Sequence, residues 1–128
     1  MTKIRLLTET ELEDFILETE GSEFYHGTNY EGIIGILETK QIGVEYFDGK
    51  GLYLTNEFLT AHNFGQYVLV FKNINEDNLE VDDINDGFFH KGCINMKNLK
   101  QIITCSDDIR FIQDTAKAMI NLLSDNGK

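Results

Sequence analysis

The stretch that most constrains this fold is Tyr67-Val68-Leu69-Val70-Phe71-Lys72, the most strongly hydrophobic run in the chain. Its β-branched and aromatic residues, bounded by polar segments, predict a central strand. The flanking sequence supplies partners. Phe24–Thr28, Leu52–Thr55, Leu79–Val81, 92–96 and 100–105 all read as short strands. Helical patterns separate them. Thr8 and Glu11 have capping-box spacing and lead into Leu12, Phe15 and Ile16, which predicts an acidic amphipathic helix over 8–20. Asn29 caps a second helix with Ile33, Ile36 and Leu37 on one face, ending around Lys40–Gly43. Gly32 and Gly35 weaken that helix by roughly 1 kcal/mol each relative to alanine and suggest close packing or a nearby ligand. Asn56 is the cap expected for a short helix over 57–64, closed by Gly65. A last helix over 107–124 carries Ile109, Ile112, Ala116, Met119, Ile120 and Leu123 as its stripe. Residues 3–7 are a short hydrophobic lead, 44–51 a loop and 73–78 a polar turn. Residues 82–91 read as an acidic loop whose Phe88-Phe89 pair is either a core plug or a contact surface, the plug being favoured. Short strands with helices packed around them define an α+β class.

A chain of 128 residues has the length of one domain, 1–128, and can bury a proper core. Its net charge of −11 repels phosphates and so argues against DNA or RNA as a plain electrostatic partner. The same charge suits a basic protein partner. Cys93 and Cys105 match no metal spacing and read as two reduced core thiols; no metal is expected. No apolar signal run opens the chain and no segment approaches membrane-spanning length, so a cytoplasmic setting is expected, the cell's own or an infected host's.

Two motifs carry chemistry. In Phe24-Tyr25-His26-Gly27-Thr28, an aromatic strand ends in a histidine, a bare backbone and a hydroxyl. Gly27 lets the main chain approach a ligand with no side chain in the way. Taken alone, these five residues also fit a satisfied core histidine at a strand end. The second motif is Gly49-Lys50-Gly51-Leu52-Tyr53-Leu54-Thr55, followed by Ala61-His62-Asn63-Phe64-Gly65. Alternation puts Tyr53 and Thr55 on the strand face opposite Leu52 and Leu54. Ala61 and Phe64 share a helix face. A small residue beside one aromatic, near a second, forms a slot for a flat ring. In isolation it reads better as a tyrosine and a phenylalanine in a core.

Together the motifs resemble those of the ADP-ribosyltransferase superfamily, in its poly(ADP-ribose) polymerase-like branch with a His-Tyr-Glu site. Tyr25-His26-Gly27-Thr28 is similar to that branch's histidine segment. Gly49-Lys50-Gly51-Leu52-Tyr53-Leu54 is similar to its tyrosine segment, with Ala61 and Phe64 at the downstream spacing. The resemblance covers about residues 23–105. It implies split antiparallel β-sheets flanked by helices, NAD as substrate, and transfer of ADP-ribose to a protein or nucleic-acid acceptor with release of nicotinamide. It implies that Gly27 binds the nicotinamide amide through its main chain. Tyr53 and Phe64 would clamp the ring, Ala61 would leave room for it, and His26, Thr28 and Thr55 would complete the donor site. The family's glutamate is missing. Its neighbourhood reads Phe88-Phe89-His90-Lys91-Gly92, with His90 or Lys91 nearest the position and Asp86 or Glu45 as loop carboxylates. A single ADP-ribose transfer is therefore expected rather than chain elongation. The alternative is an inactive NAD-binding or acidic interaction module of the same fold that inhibits a partner protein. The related RNA 2′-phosphotransferase chemistry uses a basic groove and paired arginines, whereas this chain has only Arg5 and Arg110. The short chain suits a mobile-element, phage or effector protein.

Overall fold

A computed structural model of the protein describes residues 3–19, 23–43, 51–82, 87–105, 117 and 119–121. The strands are β1 (Lys3–Leu7), β2 (Phe24–Thr28), β3 (Gly51–Leu54), β4 (Tyr67–Phe71), β5 (Leu79–Asp82), β6 (Gly87–Lys91) and β7 (Leu99–Cys105). The helices are α1 (Glu9–Thr19), α2 (Tyr30–Thr39) and α3 (Phe58–Phe64). Two sheets result, a four-stranded one in the order β1-β7-β4-β2 and a three-stranded one in the order β3-β6-β5. Among the described residues only β1 and β7 run parallel, and the other strand pairings are antiparallel. The chain is a mixed α+β domain with two β-sheets flanked by helices.

The hydrophobic run at 67–71 decides this arrangement. All five β4 residues are buried because both faces of their sheet are covered. Tyr67, Leu69 and Phe71 face one core, built with Ile33 and Leu37 of α2, Leu52 and Leu54 of the second sheet, and Ile102. Val68 and Val70 face the other, built with Phe15 of α1, Phe58 and Ala61 of α3, and Tyr25. Burying one such aliphatic or aromatic side chain contributes about 1.5–3 kcal/mol, so this strand anchors both layers. In the second core Phe58 meets Phe15 and Tyr25 edge-to-face, with centroids 5.2 and 5.7 Å apart. Arg5 lies over the Phe15 ring at 5.3 Å and caps that core from outside.

Local chemistry sets the helix ends. The Thr8 hydroxyl accepts from Glu11 N–H at 3.3 Å while Glu11 Oε1 accepts from Thr8 N–H at 3.1 Å, a reciprocal capping box. The Thr8 N–H and the Thr8 hydroxyl, which both donate to Glu11 Oε1, hold the Glu11 carboxyl below its ordinary pKa. Asn29 Oδ1 accepts from Gly32 N–H at 2.8 Å, and Lys40 closes α2 in the left-handed conformation, φ 61°. Gly32 is needed locally, since a methyl there would overlap the Thr28 hydroxyl; Gly35 faces open space. The expectation of close packing thus holds for one glycine and not the other.

Several expectations are corrected. The lead at 3–7 is a strand, because pairing with β7 completes the sheet. Residues 87–91, expected in a loop, form β6 between β3 and β5. Residues 92–96 make only an isolated bridge, Ile94 to Ile42, before a 3₁₀ turn at Met96–Asn98. Asn56 does not cap α3; Glu57 holds that position, and the Asn56 amide donates instead to the Glu23 main-chain oxygen at 3.2 Å. Cys93 is exposed rather than a core thiol. The loop at 44–50, with Glu45, Gly49 and Lys50, Asp86, and most of the last helix lie outside the described residues.

Candidate functional site

The two sheets are joined where β2 meets the end of β3. Tyr25 N–H donates to the Thr55 carbonyl at 2.7 Å, and the Tyr25 carbonyl accepts from Thr55 N–H at 3.0 Å. One residue on, His26 Nδ1 lies 2.7 Å from the Tyr53 carbonyl oxygen. A carbonyl only accepts, so in the neutral imidazole Nδ1 carries the proton and Nε2 is left as an acceptor. Burial pushes the His26 pKa below the ordinary histidine value, opposed by that hydrogen bond. His26 is therefore neutral at pH 7, with its tautomer set.

Gly27 occupies a special edge. Main-chain groups two residues apart on a strand point the same way. Tyr25 turns both of its groups toward Thr55, away from β4, so Gly27 turns its N–H and C=O to that edge too, past the end of the bridge. β2 is the terminal strand of its sheet, so among the described residues this edge carries no further strand. The absent side chain has a packing cause as well. A methyl at Gly27 would overlap the Ala61 carbonyl oxygen, since α3 lies directly against the strand.

The aromatic pair is in contact. The Tyr53 and Phe64 centroids are 5.1 Å apart with planes tilted 52°. A flat ring between two others needs about 7 Å between them, two van der Waals separations. Phe64 is 53% exposed and Tyr53 only 8%, so Phe64 is the ring free to move. Gly87 backs Tyr53: a methyl there would stand 2.7 Å from the phenol oxygen.

The remaining residues separate. Ala61 packs against Gly27 through its main chain. Thr55 is buried, and its hydroxyl accepts from Glu57 N–H at 3.2 Å, a local turn contact at the entry to α3. Thr28 lies one residue beyond Gly27, on the strand face of Phe24 and His26. His90 is paired with Leu52, and Phe89 with Tyr53. Directly paired residues share a face, so His90 sits on the face of Leu52 and Leu54, opposite Tyr53. Its Nδ1 lies 3.1 Å from the Gly92 carbonyl. On the Tyr53 face the strands bring Phe89, Lys91 and Glu80 instead, the last two ion-paired at 2.6 Å. Gly87 also lies against the phenol, a neighbour that sequence analysis missed. Only the β3–β6 register reveals it.

Among the described residues no group of three or more His, Cys, Asp or Glu could hold a metal ion, and no helix is long and apolar enough to cross a membrane. No family model, no curated protein and no solved structure matches the chain.

Proposed function

We propose that the chain is a mono-ADP-ribosyltransferase with an ADP-ribosyltransferase-like fold, using NAD as substrate and a protein as acceptor. One observation carries the reading: a neutral histidine, a main-chain donor–acceptor pair on glycine and a tyrosine–phenylalanine pair converge where β2 meets β3. Each matches one part of the substrate. A carboxamide offers a carbonyl and an N–H on one edge, complementary to the N–H and C=O of Gly27. The pyridinium ring suits the faces of Tyr53 and Phe64 once Phe64 swings outward, with a cation–π contribution of about 1–2 kcal/mol. His26 Nε2 accepts a hydrogen bond from a ribose hydroxyl.

In the reaction the bond between ribose C1′ and the nicotinamide nitrogen breaks, and its electron pair leaves with the ring, which becomes neutral. C1′ takes a lone pair from the acceptor, and the acceptor's proton passes to solvent. The transition state is oxocarbenium-like, so the chain's contribution is positioning and departure of the ring rather than a covalent intermediate. A second reading has support from two observations. Gly87 brings no carboxylate to the Tyr53 phenol, and the two aromatic rings touch. Both suit a non-catalytic module of the same fold that binds NAD, or acts through its acidic surface on a basic partner and inhibits it.

Incubation with labelled NAD and a cell lysate tests both. Label on protein together with free nicotinamide, abolished in His26→Ala, supports the transferase. Saturable NAD binding without nicotinamide release supports the module. Neither binding nor release removes NAD from the account.

A further inference from the structure

We propose that Tyr30 is a second ring platform, which holds the adenine of the dinucleotide while Tyr53 and Phe64 hold its nicotinamide. The inference rests on the reading of NAD as substrate given above, and it adds the residue that selects the whole dinucleotide over its nicotinamide half. Among the described residues, Tyr30 and Phe64 are the exposed aromatic side chains, at 46% and 53%. Both are tied to the same end of β2. Phe64 closes α3, and the next residue, Gly65, packs on Thr28: a methyl at Gly65 would overlap the Thr28 carbonyl group. Tyr30 opens α2, two residues beyond Thr28. Its ring leans on Tyr67, with centroids 6.0 Å apart and planes tilted 53°. Tyr67 is in turn paired with Thr28 in the β2–β4 register. The main chain at Gly27 and Thr28 therefore has one exposed ring on each neighbouring helix.

Two platforms suit a ligand with two flat rings. NAD carries nicotinamide at one end and adenine at the other, joined through two riboses and a diphosphate. Adenine is a neutral heterocycle and stacks on an aromatic face without needing a charge or a particular hydrogen bond. Tyr30 offers such a face. Tyr67 behind it is buried and fixed in the core, so the Tyr30 ring is supported on one side and open on the other. A supported tyrosine supplies contact area at little cost in conformational freedom. The three residues from Gly27 to Tyr30 reach at most about 11 Å, which keeps the second platform within the length of one extended dinucleotide from the Gly27 edge. His26 Nε2, on the strand between the two helices, accepts from a ribose hydroxyl between the two rings.

The test is titration calorimetry of the full chain with NAD and with nicotinamide mononucleotide, for the parent, Tyr30→Ala and Tyr30→Phe, with NMR shifts to locate each ligand. The parent should bind NAD at least about tenfold more tightly than the mononucleotide. Tyr30→Ala should weaken NAD about tenfold and bring it to the level of the mononucleotide, whose own affinity stays within about twofold. Tyr30→Phe keeps the ring and should keep the NAD affinity. The Tyr30 ring protons should shift with NAD and not with the mononucleotide, while Gly27 shifts with both. Three results overturn the Tyr30 platform and leave NAD as the ligand: equal affinity of the parent for NAD and the mononucleotide, undiminished NAD binding in Tyr30→Ala, or an equal loss for both ligands, which marks a structural role. Absence of saturable binding of either ligand at about 5 mM, or shifts away from His26 and Gly27, overturns the NAD reading itself and this inference with it.

Discussion

Substituting alanine at Gly27 isolates the contact on which both fold and site depend. The added methyl would overlap the Ala61 carbonyl oxygen and stand 2.6 Å from its carbonyl carbon. Carbon atoms settle at about 3.5–4.0 Å, so α3 would have to retreat from β2 by roughly 1 Å. The obstacle is main chain, so no rotamer change relieves it. Retreat loosens Phe58 and Ala61, both fully or nearly fully buried in the core that α3 shares with α1. Overpacking of this kind costs about 3 kcal/mol, against a gain of under about 1 kcal/mol from replacing glycine in a strand. The net loss is about 2 kcal/mol or more. Gly35→Ala is the internal control. It adds the same methyl in a helix with nothing within 4 Å, and should stabilise the protein by about 1 kcal/mol. Urea unfolding followed by circular dichroism measures both. Equal stability of Gly27→Ala and the parent, at an unchanged denaturant slope, would refute the close approach of α3 to β2.

Other outcomes follow from single contacts. Asn29→Ala removes the side-chain acceptor for Gly32 N–H and should cost about 1 kcal/mol in thermal unfolding. The His26 pKa is lower in the folded protein than its ordinary value of 6.5, so below that pH the unfolded chain binds the extra proton. Stability is then full above pH 6.5 and declines as the pH falls through the window down to the folded-state pKa. His26→Gln should flatten this part of the pH profile; an unchanged profile would show that another group causes it. Exchanging the charges of Lys91 and Glu80 should move stability by less than about 1 kcal/mol, since both partners are more than half exposed. A double-mutant cycle reads that coupling. Phe64→Ala should open the Tyr53 face and strengthen nicotinamide binding if Phe64 only blocks the slot, or weaken it if Phe64 stacks on the bound ring. Saturation-transfer NMR separates the two.

The order of elements was legible because it rests on local rules. The capping box at Thr8–Glu11, the Asn29 cap, the stop at Lys40 and the apolar run at 67–71 each act over a few residues. The two motifs around His26 and Tyr53 stand out in the sequence for the same reason, as short words with their own chemistry. Residues 87–91 were misread because strand propensity there depends on neighbours: Gly87-Phe88-Phe89-His90-Lys91 becomes a strand only when β3 and β5 lie on either side. The lead at 3–7 shows the same dependence, since β7 arrives nearly a hundred residues later. Asn56 had the residue type of a cap, yet a distant main-chain acceptor at Glu23 claimed its side chain.

From its own letters the chain determined where helices start, which strand is central and that a histidine–glycine pair would end an aromatic strand. Those properties come from interactions between residues close in sequence. Tertiary structure alone decided that His26 would reach the Tyr53 carbonyl, that Gly27 would lie under α3, and that Gly87 rather than His90 would back the phenol. Register between strands decides such matters, and a shift of one residue turns every side chain to the opposite face.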